Sequence, residues 1–148
     1  YARAVASAPP DAECVFLGAG SLAPALSAAR SGLSVTVVEE SRVLCAGAAA
    51  AARANGLGGR VRVLHSPRGL ASAAAYEDLA RRADWRAGRV ALVCERLCED
   101  LLGERLVQTV ACAKRGLGRV ALVIPERAEI WAAPLELRLD GVDGFDLS

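Results

Sequence analysis

Short apolar segments alternate with Ala-rich segments of helical periodicity along most of the chain. The apolar segments are rich in Val and Leu and fall at residues 14–17, 35–38, 61–64, 90–93 and 120–124. Short strands that are buried on both faces and separated by helices are typical of a parallel sheet with right-handed crossovers. The pattern therefore predicts a doubly wound α/β domain over residues 1–124.

Four helices are predicted between these strands, at residues 21–30, 41–54, 76–82 and 98–114. Ser21 is a suitable N-cap for the first helix, and Pro24 is tolerated in its first turn. Asn55 and Gly56 favour the left-handed conformation that ends the second helix. The helices are expected to cover both faces of the sheet.

The pattern changes at Pro125. Residues 129–139 alternate without a helical period, and Asp140-Gly141 favours a turn. We therefore predict that residues 125–148 begin a second unit that is rich in β-structure. Because the chain begins with Tyr1 and contains no Met, we expect it to be a piece of a longer protein.

Composition and charge narrow the class of protein. The 148 residues are 53% hydrophobic and only 4% aromatic, which excludes overall disorder and favours close packing of helices on a sheet. The net charge of +1 gives no electrostatic signal for direct binding to nucleic acid or to an anionic membrane. No apolar segment approaches the ~18–20 residues of a membrane span, and no signal peptide is recognisable. We therefore expect neither a nucleic acid nor a membrane as a partner.

The chain has five cysteines, which are Cys14, Cys45, Cys94, Cys98 and Cys112. Their number is odd, and no CxxC pair is accompanied by a second pair or by clustered histidines, so neither a metal site nor a disulfide framework is predicted. Free thiols in a reducing compartment are expected, which agrees with a cytoplasmic or nuclear location.

Two predicted strands are followed by residues that are suited to binding a nucleotide. Gly18 and Gly20 follow the first strand in the segment G-A-G-S-L-A, where the backbone can turn tightly and approach a ligand closely. Glu39 ends the second strand, where a carboxylate can accept hydrogen bonds from both hydroxyls of an adenosine ribose. By itself this pattern fits NAD, FAD and S-adenosylmethionine equally well.

A pair of glutamates follows the fourth strand. Glu95 and Glu104 lie nine positions apart in the segment E-R-L-C-E-D-L-L-G-E. This segment resembles the double-glutamate loop of the protein arginine N-methyltransferases, and most closely that of their tandem-repeat, monomethylating branch. The Leu101-Leu102 pair and Gly103 also match the loop in register.

Further segments are similar to the same family. Residues 125–132, P-E-R-A-E-I-W-A, resemble the segment that leads into the family's β-barrel, and residues 144–148, G-F-D-L-S, resemble a stretch inside that barrel. Residues 55–57 and 60–63 resemble its helix end and third strand. The resemblance implies a Rossmann-like, seven-strand-type S-adenosylmethionine methyltransferase domain over residues 1–124, with the start of a β-barrel substrate domain at 125–148.

The activity that the resemblance implies is methyl transfer from S-adenosylmethionine to a guanidinium nitrogen of a protein arginine. Glu95 and Glu104 would hold the guanidinium, because carboxylates bind its fork of donors bidentately and positioning dominates a transfer of this kind. Gly18 and Gly20 would approach the cofactor, and Glu39 would hold its ribose. The implied partners are an arginine-containing protein substrate and, in the full-length protein, a dimer or a tandem pseudo-dimer.

Two alternatives remain open. Phe16 and Leu22 replace an Asp and a Gly that the family usually carries, and this favours a non-catalytic methyltransferase-like domain that serves as a structural half of an assembly. The third hypothesis is an FAD- or NAD-binding oxidoreductase, prompted by the glycine turn and by the segment V-T-V-V-E. The spacing from Gly18 to Glu39 is about two residues short of the usual flavin pattern, which makes this the weakest of the three.

Overall fold

A computed structural model of the protein describes residues 2–5, 7–9, 11–83, 89–96, 105–127, 129, 131, 133–134, 141–142 and 145–146. The strands of the main sheet are β1 (Glu13–Leu17), β2 (Ser34–Glu39), β3 (Val61–His65), β4 (Val90–Cys94) and β5 (Val120–Ile124). The helices are α1 (Ala2–Val5), α2 (Ala23–Arg30), α3 (Arg42–Ala54), α4 (Ala73–Ala83) and α5 (Leu106–Leu117). All five predicted strands are confirmed, with ends that differ from the prediction by no more than one residue.

The five strands form one parallel sheet in the order β3-β2-β1-β4-β5. The chain runs outward from β1 to β3 and then crosses to the other side of β1, so the strand order reverses between β1 and β4. In doubly wound sheets the crevice at this reversal, beyond the carboxyl ends of the strands, is where ligands bind. The predicted fold class is therefore confirmed, and the fold itself indicates which edge of the sheet carries the site.

Successive residues of each strand face opposite sides of the sheet, and both sides are covered. On one side, Cys14 and Phe16 of β1 belong to a core with the buried alanines of α2 and α3. On the other side, Val15 and Leu17 belong to a core with side chains of α4 and α5. The small alanines allow the helices to pack closely on the strands, as the composition predicted.

Two predicted helix ends are wrong. The N-cap of α2 is Leu22, whose φ is 61° and which makes no side-chain cap hydrogen bond, so Ser21 does not cap this helix. The predicted helix at 98–114 is not continuous, because Arg105 has a φ of 53° and the helix begins at Leu106. A left-handed residue cannot extend a right-handed helix, and neither Leu nor Arg adopts that conformation readily, so local propensity did not reveal these ends.

Beyond Pro125, two short strands, β6 (Gly141–Val142) and β7 (Phe145–Asp146), pair antiparallel. Gly141 lies in β6 and pairs with Asp146, so it is not part of the turn that was predicted at Asp140-Gly141. The start of a β-barrel and the division of the chain into residues 1–124 and 125–148 remain predictions.

Within the described part of the chain, Cys14, Cys45, Cys94 and Cys112 are free thiols. Among the same residues, no group of His, Cys, Asp and Glu is arranged to hold a metal ion. None of the helices described has the length and apolar character needed to cross a bilayer.

Candidate active site at the carboxyl edge of the sheet

The glycine turn after β1 lies against the loop after β4. Gly18 and Gly20 have φ angles of 94° and 47°, so both adopt a conformation that glycine accepts without steric strain. A Cβ atom placed on Gly20 would lie 2.5 Å from Oε2 of Glu95 and 3.3 Å from its Cβ. The Glu95 side chain therefore covers Gly20, and two residues predicted separately as parts of the site are in contact.

Glu39 is a buried carboxylate that joins the ends of two strands. It is only 4% exposed, its Oε2 accepts a hydrogen bond from the backbone N–H of Ala19 at 2.8 Å, and its Oε1 accepts one from Ser41 N–H at 2.7 Å. Charged acceptors make strong hydrogen bonds, which compensate for the burial of the charge. Because a carboxylate offers about four lone pairs, Glu39 retains acceptor capacity beyond these two bonds.

Glu40, the next residue, points its carboxylate at the opposite side of the crevice. Its Oε1 lies 3.2 Å from Nη1 of Arg96, and its Oε2 accepts a hydrogen bond of 3.3 Å from Leu70 N–H. The backbone oxygen of Glu40 lies 3.1 Å from Nε2 of His65. Glu40 thus connects the ends of β2, β3 and β4.

Glu40 and Arg96 were not singled out from the sequence. A signal for both was present, because Glu40 is the second residue after the predicted strand at 35–38 and Arg96 is the third after the one at 90–93. Both therefore stand at the edge where the ends of parallel strands meet.

A cavity of about 310 Å³ opens at this edge. This volume is at the lower end of the range for small-molecule pockets, about 300–1,000 Å³. Three arginines and one carboxylate line it together with Gly69, Leu70, Ala71 and Thr109; the charged residues are Glu40, Arg68, Arg96 and Arg105. Leu22 does not line this cavity, because its side chain belongs to the core on the side of α2 and α3.

The Cys94 thiol and the Tyr76 phenol beneath this edge are neutral groups. Burial raises the pKa of the Cys94 thiol, so Cys94 stays protonated near neutral pH and does not act as a thiolate nucleophile. Burial, which disfavours the charged phenolate, raises the pKa of the fully buried Tyr76 phenol. Charge at the site is therefore carried by glutamates and arginines.

Four of the five predicted site residues meet at this edge, namely Gly18, Gly20, Glu39 and Glu95. The fifth, Glu104, lies outside the described residues. The arrangement brings together a side-chain-free turn, a buried carboxylate at the second strand and a carboxylate over Gly20. Such an edge can bind an adenosine-type ligand beside a cationic group.

Comparison with known proteins supports the assignment of the fold. No protein-family model and no curated protein sequence matches the chain. A crystal structure of PRMT6, an arginine methyltransferase, matches with a TM-score of 0.63 at 20% identity, over 85% of this chain and 41% of that one. A crystal structure of PRMT6 with SAH matches with a TM-score of 0.60 at the same identity and coverage.

The chain therefore spans about two-fifths of the PRMT6 chain, and the two share a fold. The resemblance predicted from the sequence is confirmed at the level of that fold. A third match is an S-adenosylmethionine-dependent methyltransferase from Geobacter sulfurreducens in complex with S-adenosyl-L-homocysteine, at 25% identity over 77% of this chain and 41% of that one. Its TM-score is 0.49.

Proposed function

We propose that the protein is an S-adenosylmethionine-dependent methyltransferase, and that it methylates a guanidinium nitrogen of a protein arginine. The observation that carries the proposal is the position of Glu95, whose carboxylate lies over Gly20 at the crevice where the strand order reverses. The fold shared with PRMT6 and the glutamate spacing in the sequence support the same function.

The residues at the edge fit the proposed cofactor. Gly18 and Gly20 place no side chain on the turn. A Cβ on Gly20 would overlap the Glu95 side chain, so a larger residue at this position would require Glu95 to move. The buried carboxylate of Glu39 has remaining acceptor capacity at the place where ribose hydroxyls would lie. When bound, S-adenosylmethionine supplies an electrophilic methyl group on a sulfonium.

Glu95 would hold the substrate guanidinium. A carboxylate and a guanidinium form charge-assisted, bidentate hydrogen bonds that fix the plane of the guanidinium as well as its position. The main contribution of the chain to the reaction rate would be to fix one terminal nitrogen close to the crevice. A nitrogen that is already positioned avoids most of the entropy cost of a bimolecular encounter. Glu104 would act as the second carboxylate of the clamp. The substrate nitrogen would gain the methyl group and lose a proton to solvent, and the sulfonium would become the neutral thioether of S-adenosylhomocysteine.

We extend the proposal to the partners that the resemblance implied and to the location with which free thiols agree. The substrate would be an arginine-containing protein in the cytoplasm or nucleus. In the full-length protein the domain would belong to a dimer or a tandem pseudo-dimer, as the resemblance implies.

The test begins with calorimetric titration of the protein with S-adenosylhomocysteine, NADH and FAD in separate experiments. We expect binding of S-adenosylhomocysteine alone. Transfer of a labelled methyl group from S-adenosylmethionine to an arginine-containing peptide is then measured, with the same peptide carrying lysine in place of arginine as a control. Labelling of the arginine peptide alone is expected, and equal labelling of both would contradict arginine specificity.

Two variants separate the clamp from the cofactor site. Glu95→Gln should lower methylation by at least about 100-fold while S-adenosylhomocysteine affinity changes little, because a neutral amide loses the charge-assisted contact. Glu77→Gln, at an exposed position of α4, is the matched control and should retain full activity. Equal loss of methylation and of ligand affinity in Glu95→Gln would show that Glu95 does not act on the substrate.

A non-catalytic methyltransferase-like domain is the second candidate. One observation favours it: the Arg96 side chain lies across Gly18, where a cofactor would have to approach. In that case neither S-adenosylhomocysteine nor the other two nucleotides binds. Binding of NADH or FAD alone would instead favour an oxidoreductase.

A further inference from the structure

The Arg96 side chain lies on the glycine turn. A Cβ atom placed on Gly18 would lie 3.7 Å from Cγ of Arg96 and 3.8 Å from its Cδ, which is ordinary van der Waals contact. The aliphatic stem of Arg96 therefore covers the bare backbone of Gly18. A turn without side chains lets a ligand approach the backbone, and here a side chain of the same chain is in that position.

The charged end of Arg96 is held on the other side of the crevice. Its Nη1 lies 3.2 Å from Oε1 of Glu40, and Glu40 is itself fixed by the hydrogen bond from Leu70 N–H to its Oε2. Arg96 and Glu40 both line the cavity, and their side chains are 26% and 44% exposed. The ion pair thus spans the crevice from the loop after β4 to the end of β2.

We propose that Arg96 and Glu40 form a displaceable latch over Gly18, and that a nucleoside ligand binds at the glycine turn only when this ion pair opens. This inference rests on the proposed function, because it names the step that admits the cofactor. It also explains how one chain can carry both a nucleotide-type turn and a side chain that covers it.

A latch of this kind weakens binding without abolishing it. The apparent dissociation constant rises by the inverse of the fraction of molecules in which the site is open. A partly exposed ion pair is weak, and the stem contact with Gly18 adds a little, so removal of the latch should tighten binding by about three- to tenfold. Salt should act in the same direction on the wild-type protein, because it screens the ion pair.

The test measures S-adenosylhomocysteine affinity of the wild-type protein and of three variants by calorimetry. This ligand carries no net charge, because it lacks the sulfonium and its carboxylate and ammonium groups balance, so the loss of an arginine charge changes long-range attraction to the site little. Arg96→Ala removes both the stem and the charge. Arg96→Met keeps an apolar stem and removes the ion pair, so it should tighten binding less than Arg96→Ala. Arg30→Ala is the control, since Arg30 is exposed, bonds to Asn55 at 2.8 Å and lies at the other edge of the sheet.

We expect tighter binding in both Arg96 variants, no change in Arg30→Ala, and tightening with salt in the wild-type protein but not in Arg96→Ala. Thermal melting checks that each variant is folded; if one Arg96 variant does not fold, the other and the salt series decide. Binding by Arg96→Ala alone would support a latch that is closed in the wild type. Wild-type binding with equal or weaker binding in the Arg96 variants would overturn the latch and leave the proposed function intact. Binding by none of the four proteins would overturn both.

Discussion

Oε2 of Glu39 accepts a 2.8 Å hydrogen bond from the backbone N–H of Ala19. This contact ties the glycine turn after β1 to the end of β2, while Oε1 of the same carboxylate accepts the N–H of Ser41, the N-cap of α3. One buried side chain therefore holds two of the segments that shape the crevice.

Replacement of Glu39 by Gln should destabilise the protein and weaken the site. The amide has one acceptor oxygen where the carboxylate has two, so one of the two backbone N–H groups would face an NH₂ group and lose its partner. A buried donor without a partner costs about 1–3 kcal/mol. We expect a loss of that size in the free energy of unfolding, measured with urea, and weaker binding of S-adenosylhomocysteine.

The matched control is Glu13→Gln. Glu13 begins β1 at the opposite edge of the sheet, and its Oε1 accepts a hydrogen bond from Oγ1 of Thr36 at 2.5 Å, a contact that an amide oxygen can keep. Its effect should stay below about 1 kcal/mol. Equal destabilisation by the two substitutions would show that the paired hydrogen bonds of Glu39 contribute no more to the free energy of unfolding than the single bond of Glu13.

Gly20→Ala should impair the site more than the fold. A left-handed alanine costs on the order of 1 kcal/mol, and the new Cβ would lie 2.5 Å from Oε2 of Glu95, which would have to move. We expect a stability loss of about that size together with a loss of methylation. Gly32→Ala, where no atom lies within 4 Å of the added Cβ, tests backbone strain without a contact and should leave methylation unchanged.

Gly116→Ala should destabilise the packing of α4 on α5. A Cβ at Gly116 would lie 2.5 Å from the backbone oxygen of Ala73 and 2.6 Å from Cβ of Tyr76, so the helices would have to separate. Overpacking of this kind typically costs about 1–3 kcal/mol, although alanine is the better helix former. Gly47→Ala in α3, where the added Cβ meets nothing within 4 Å, should instead stabilise by about 0.5–1 kcal/mol. Urea unfolding of both variants measures the change in the free energy of unfolding. A change of the same sign in the two variants would contradict the predicted difference between the two positions.

Tyr76→Phe should stabilise the protein. The Tyr76 side chain is fully buried, and its hydroxyl has no hydrogen-bond partner within the part of the chain that the structure describes. Removal of a buried polar group without a partner relieves a desolvation penalty, so we expect the free energy of unfolding to rise by about 1 kcal/mol. A loss of stability in thermal or urea unfolding would reveal a partner for this hydroxyl.

Stability should fall at alkaline pH, in part through Cys14. Burial, followed by the charge of Glu13, raises the pKa of this fully buried thiol from 9.0 to about 11. Between these values the unfolded chain loses a proton that the folded chain keeps, so the contribution of Cys14 to stability decreases as pH rises. We expect the decrease to reach roughly 2 kcal/mol by pH 11. Cys14→Ala should show a smaller loss between pH 9 and pH 11 than the wild-type protein, measured by urea unfolding at each pH.

The strands and their connections could be predicted because they depend on local pattern. A strand that is buried on both faces must be apolar throughout, so segments such as residues 14–17 and Val90–Cys94 are recognisable without knowledge of their neighbours. The glycine turn and Glu39 were found for a related reason, since ligand-binding residues in such folds follow the strands directly.

The helix N-caps Leu22 and Arg105 were not predictable in this way. Both residues adopt a left-handed conformation that their own preferences oppose, so the surrounding structure must impose it. Likewise, nothing in the local sequence indicates that Arg96 covers Gly18 or pairs with Glu40.

The sequence by itself determined which segments become strands and which residues stand at their carboxyl ends. Only the tertiary structure decided which of those residues meet, because that depends on strand order, a property of contacts between distant parts of the chain. The placement of β1 between β2 and β4 brings Glu39 to Ala19, Glu95 to Gly20 and Arg96 to Gly18.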